Sequence, residues 1–176
     1  KEINNDDTLF DSIEKTRNIA FLWRFCQYNA VYYYINSQWK QADKWSRIAD
    51  QFSFASQSDF PVPEQLMFKA LIFIKLWDDF SAAEKTEKMN LLIEILDKLE
   101  KSALLCPANF SHKYHFLAAE VAILNKSSQE IILDHYNKAL SSLKDEDFIH
   151  MKALIYESMA NYWQRQGDEI ISKAYN

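Results

Sequence analysis

The sequence predicts an all-α fold, a right-handed α-α superhelix of stacked helix pairs. Three observations carry this. A single glycine, Gly167, and three prolines serve 176 residues, whereas sheet-rich folds place turn glycines at short intervals. Apolar residues recur in three- and four-residue steps along most of the chain. Short turns within pairs alternate with longer turns between pairs, as in helical-repeat proteins. Hydrophobic residues make up 48% and aromatic residues 15% of the chain. A chain of this length buries roughly 70% of its unfolded surface, enough for a core without disulfides or metals. We expect one helical-repeat domain over residues 1–176, with about eight helices paired near 8–52, 63–105, 109–143 and 147–176. The chain opens on lysine, which we read as a piece of a longer protein whose last helix is truncated.

The first helix is expected from Asp7 or Thr8, either of which can cap it, to Ile35. Asn36 and Ser37 make a turn. The second helix follows, with Trp39, Ala42, Trp45, Ile48, Ala49 and Phe52 on one face. SFASQSDFPVP is the longest break, and Pro63 suits the first helical position, where its missing N–H costs nothing. The third helix runs to Asp79. Ser81 and Glu84 form a capping box for the fourth, which Pro107 stops. Its apolar stripe is Met89, Leu92, Ile93, Leu96, Leu99 and Ala103. Asn109 is expected to cap the fifth helix, Ser127 with Glu130 the sixth, and Asp145 or Asp147 the seventh. The stripe of that seventh helix is Phe148, Met151, Ile155, Met159 and Tyr162. Gly167 ends it in the left-handed conformation, and Asp168 opens the eighth.

The spacing fits a degenerate tetratricopeptide-like repeat with a period near forty residues. That unit places a small residue about seven positions before its turn, which Ala160 satisfies and Glu120 does not. Tyr32, Ala42 and Trp45 fit around the first turn, Tyr136 and Ala139 in the later unit. An irregular helical bundle is the alternative.

Bulk properties exclude several functions. One glycine leaves no P-loop and no dinucleotide-binding fingerprint. A net charge of −5 gives no basic surface for nucleic acid. The most apolar runs are interrupted by Arg24, Gln27, Asn29, Lys69 and Lys75, so neither reads as a membrane span. Cys26 and Cys106 read as two separate thiols of a reducing compartment, with a disulfide as the alternative.

The run CPANFSHKYHFLAAEVAILN, followed by EIILDHYNKALSSL and FIHMKALIYESMANYWQRQGDEIISKAYN, resembles the repeat region of the large multi-sensor hybrid histidine kinases. Cys106, Pro107, Asn109, Phe110, His112, Lys113, Tyr114, Ala119 and Glu120 match the first block. Tyr136, Ala139 and Leu140 match the second. Ala153, Glu157, Ala160, Tyr162, Gly167, Ile171 and Tyr175 match the third. Where the family usually has an arginine, Ile123 stands. The resemblance implies a parent chain with a kinase-like domain, a signalling ATPase, these repeats, a GAF sensor and a histidine kinase core. The family's catalytic residues lie outside the matched blocks, so none is carried over.

Candidate sites are few. His112 and His115 lie three apart, with Cys106 near and His135 on the next helix, but zinc wants three or four ligands at firm spacing. The expectation is no metal and no cofactor. Asp78, Asp79 and Glu84 suggest an acidic metal motif, but the spacing is wrong and a second motif is missing, so they read as acids that suit the start of a helix. No Glu-x-x-His pair supports a di-iron site, and no Ser, His and Asp are grouped for nucleophilic catalysis. Aromatic residues are enriched in binding hot spots. The repeat spacing assigns Trp23, Tyr33, Tyr34, Tyr114, Leu117, Asn161, Gln164 and Arg165 to a protein-binding groove, with contact to a preceding helix as the alternative for the Tyr32–Tyr34 run. The resulting expectation is a non-catalytic scaffold in a cytoplasmic signalling protein, contacting other proteins or neighbouring domains. The alternative is a helical sensor that binds a small apolar molecule.

Overall fold

The computed structural model describes residues 5–52, 62–143 and 148–175. Among the described residues there are nine α-helices and no strand, so the fold is all-α. The helices are α1 (Asn5–Lys15), α2 (Ile19–Ile35), α3 (Trp39–Gln51), α4 (Val62–Lys75), α5 (Ala82–Leu105), α6 (Pro107–Leu124), α7 (Gln129–Ser142), α8 (Ile149–Arg165) and α9 (Glu169–Tyr175). A 3-10 turn, Trp77–Asp79, follows α4.

The extra helix arises because the expected first helix is two. Thr16 donates its hydroxyl to the Ile13 carbonyl at 2.6 Å, Arg17 takes φ 56°, and Asn18 accepts the Phe21 amide at 3.1 Å. Short polar side chains here compete with the helical hydrogen bonds and cap a new start. Three further boundaries differ from expectation. The third expected helix ends at Lys75, and Asp78 and Asp79 lie in the tighter 3-10 turn. α6 starts at Pro107, a residue preorganised for a first turn, while the Asn109 side-chain amide donates to Cys106 Sγ at 3.2 Å. Ser128, not Ser127, caps α7 by accepting from Ile131. The capping box at Ser81 and Glu84 forms as expected, with the Ser81 amide donating to Glu84 Oε2 at 2.8 Å and the Glu84 amide facing Ser81 Oγ at 3.4 Å. The expected cap at Asp145 or Asp147 lies outside the described residues.

The chain divides into two compact units, residues 1–91 and 92–176, with the division inside α5. In the first unit α2 packs chiefly on α3, and α4 packs on both. Trp23, Cys26, Ala42, Trp45, Ala49 and Met67 form its fully buried centre, and Phe25 meets Trp45 edge-on at 5.6 Å. In the second unit the main pairings are α6 with α7 and α8 with α9. Its centre includes Leu99, Phe116, Ala119, Tyr136, Met151 and Ile155. On α5 the buried face is Leu92, Ile95, Leu99 and Ala103, whereas Ile93, expected inside, is exposed.

One local design recurs three times. The pairs α2/α3, α6/α7 and α8/α9 are joined by turns whose left-handed residues are Ser37, Lys126 and Gly167, at φ 58°, 53° and 81°. In each, this residue's amide reaches back to the carbonyl three positions earlier, at Tyr34, Ile123 and Gln164 respectively. The next amide reaches a carbonyl five positions back, so Gln38 bonds Tyr33, Ser127 bonds Ala122 and Asp168 bonds Trp163. That two-bond signature is a Schellman cap, which satisfies carbonyls the ending helix would leave open. Seven residues ahead of each left-handed position sits a buried alanine, Ala30, Ala119 and Ala160. The small residue of the middle pair is thus Ala119, one position before the Glu120 that the spacing suggested. On the following helices Ala42, Ser46 and Ala49 of α3 are buried, as are Ile132, Tyr136 and Ala139 of α7, at a constant offset of ninety.

Candidate functional site

The expected groove residues divide between core and surface. Trp23, Tyr33, Tyr34 and Leu117 are buried, at 1%, 7%, 6% and 0% exposure, so they face the interior rather than a partner. On α2 the buried face also includes Leu22, Cys26 and Ala30, which turns Tyr28 and Tyr32 outward instead. Tyr114 and Asn161 are half-buried, and Gln164 and Arg165 are exposed on the last turn of α8. The part of the expected surface that reaches solvent is therefore Gln164 and Arg165, with Asn161 and Tyr114 half-buried.

A group of ionisable side chains lies on α6 and α7 of the second unit. His115 and His135 face each other, Nδ1 to Nδ1, at 3.3 Å. At that distance one ring donates and the other accepts. The Tyr114 ring lies 4.9 Å from His115 and 6.4 Å from His135, edge-on to the latter. Its hydroxyl donates to Glu100 Oε1 of α5 at 3.1 Å, and burial followed by that carboxylate raises the phenol above its ordinary range. Both imidazoles are held below the usual histidine range, chiefly by desolvation. For His115 the charges of His135 and Lys138 add to this, while Asp134 and Glu100 oppose it. Asp134 and Lys138 pair along α7 at 2.7 Å.

His112, weighed with His115 as a metal pair and not expected to be one, points elsewhere. It is fully buried, its Nε2 lies 3.2 Å from Lys113 Nζ, and the Phe148 ring covers it at 5.0 Å. The ammonium of Lys113 can only donate, so Nε2 accepts and the ring is neutral with its proton on Nδ1, which has no hydrogen-bond partner among the described residues. Burial, then the charges of Lys113 and His150, push its pKa down to about 4. Cys106 is a free thiol engaged with Asn109, and Cys26 is a buried thiol pushed up to about 12 by desolvation, which leaves it unreactive. Asp79 pairs with Lys40 at 3.2 Å, and Glu84 is engaged by Ser81. Among the described residues no three His, Cys, Asp or Glu side chains converge as a metal-holding group.

An open groove of about 710 Å³ runs beside this cluster, lined by Asn109, Ser111, His115, Lys138, Ser141 and Phe148 among others. Its lining mixes the apolar Pro107, Ala108 and Phe148 with one amide, three hydroxyls, the His115 ring and Lys138. No described helix is long and apolar enough to cross a membrane.

Sequence reasoning weighed His115 and His135 but had no means to pair them. The signal lies in their distances from the turn: His115 is eleven residues before Lys126 and His135 nine after it, nearly opposite positions on a helical hairpin. Comparison of the chain with known protein families, curated proteins and solved structures finds no match.

Proposed function

We propose that this chain is a tetratricopeptide-like repeat scaffold, non-catalytic in itself, that mediates protein–protein or interdomain contacts within a cytoplasmic multi-domain sensor histidine kinase. The observation that supports this best is the threefold recurrence of one hairpin design: a Schellman turn at Ser37, Lys126 and Gly167 and a buried alanine seven residues before it. Helix pairs of one design, each packing on its neighbours, are how repeat proteins build extended contact surfaces. The matched blocks of the kinase repeat region cover two of these three hairpins. The contact surface on this reading is Asn161, Gln164 and Arg165, with Tyr114.

The test has two parts. The reading frame encoding this chain is expected to continue into a GAF sensor and a histidine kinase core; a frame that encodes neither overturns the kinase assignment. In the full-length protein, Gln164→Ala with Arg165→Ala is expected to change signal-dependent autophosphorylation while leaving helical content unchanged. Unaltered autophosphorylation across the signal range removes the proposed surface.

A further inference from the structure

We propose that His115 and His135 form a two-histidine site for a divalent transition metal of the zinc, nickel or copper class. Imidazole nitrogens bind such ions at about 2.0–2.1 Å, and two of them at a tetrahedral angle stand about 3.3 Å apart. The two Nδ1 atoms stand 3.3 Å apart without a metal. The two nitrogens already stand at ligand spacing, and binding requires each ring to turn so that both lone pairs converge on one ion.

Four further features favour this. The ligands come from α6 and α7, whose pairing is the most extensive between helices of the chain, so the separation is fixed by packing rather than by a loop. The Tyr114 ring lies against both imidazoles and is itself held by Glu100. Burial holds both imidazoles below the ordinary histidine range, which favours the neutral form that ligates metals. Asp134 and Glu100 favour positive charge at His115, against the opposing charge of Lys138. Both histidines remain partly exposed, so water fills the other coordination positions. The site is open and weaker than a closed four-ligand centre, since no carboxylate or thiol completes a group of three among the described residues.

Binding balances without an added reagent. The Nδ1–H···Nδ1 hydrogen bond breaks. The proton it held moves through solvent to Nε2 of the same ring. Each imidazole then keeps one N–H, at Nε2, and gives its Nδ1 lone pair to the metal. At neutral pH no net proton is released from the rings.

The experiment is a titration of the intact chain with Zn²⁺ by calorimetry, with Co²⁺ absorption as the coordination signature. One ion per chain is expected, and His115→Gln and His135→Gln should each weaken binding at least tenfold. His112→Gln and His150→Gln should bind as the parent does. Circular dichroism of each variant checks its fold. Should a variant unfold, the ¹⁵N resonances of the wild-type rings decide: Zn²⁺ should shift the Nδ1 signals of His115 and His135 together. No saturable binding at millimolar Zn²⁺, equal binding by His135→Gln, or a shift confined to His112 or His150 overturns the proposal.

Discussion

Tyr136 donates its phenolic hydrogen to Oε1 of Glu120 at 2.5 Å, with both side chains buried between α6 and α7. This bond explains why a carboxylate lies inside the hairpin, one position past its buried alanine. A buried acceptor that loses its donor retains the full cost of desolvation. Tyr136→Phe is therefore expected to destabilise the chain by about 2–3 kcal/mol, read as a shift in urea midpoint. Pairing it with Glu120→Leu should recover part of that loss, because removing both polar partners leaves no orphan. A double variant that loses the sum of the Tyr136→Phe and Glu120→Leu single losses would show that the bond contributes nothing.

The pH dependence of stability should carry the imprint of His112. Its folded pKa of about 4 lies below the ordinary histidine value of 6.5, so between these values the unfolded chain binds the extra proton. Stability from this group is complete above pH 6.5 and is lost as pH falls towards 4, by about 3 kcal/mol in all. His112→Gln keeps an acceptor for Lys113 but cannot titrate. Its unfolding free energy should fall less steeply than the parent's across that window, and parallel slopes would refute the assignment.

Two of the three hairpin turns hold non-glycine residues in the left-handed region, Ser37 and Lys126. A side chain there is strained against its own carbonyl. Ser37→Gly and Lys126→Gly should each stabilise the chain by about 0.5–1 kcal/mol, the chain-entropy cost of glycine being smaller than the relief. At Gly167 nothing lies within 4 Å of where a Cβ would stand, but φ is 81°. Gly167→Ala should therefore cost about 1 kcal/mol through backbone strain alone. Thermal melts of the three variants decide both signs.

Ala30, Ala119 and Ala160 occupy equivalent buried positions ahead of the turns. If small size matters there, Ala119→Leu or Ala160→Leu should destabilise by about 1–3 kcal/mol through overpacking. An Ala118→Leu control at the helix's less confined neighbour should cost less. Equal effects at 118 and 119 would mean the recurrence has no packing role.

The all-α class was written in the sequence, because a chain with one glycine and three-four apolar spacing has few other ways to bury its apolar half. The capping box at Ser81 and Glu84, the stop before Pro107 and the left-handed Gly167 were equally legible, since each depends on residues within one helical turn. The break at Asn18 and the caps at Cys106 and Ser128 were not, because several neighbouring polar residues could serve and only the backbone path chooses among them. The tyrosines of α2 show the same limit: periodicity says that one or two of Tyr32, Tyr33 and Tyr34 are inside, and packing selected Tyr33 and Tyr34. What only the tertiary structure decided is contact across a turn. His115 meets His135, and Tyr136 meets Glu120, because the Lys126 turn folds α7 back along α6 and sets the register. A one-residue change in that turn would rotate every partner on α7 by about 100°, which is why pairs twenty and sixteen residues apart leave so faint a mark in the sequence.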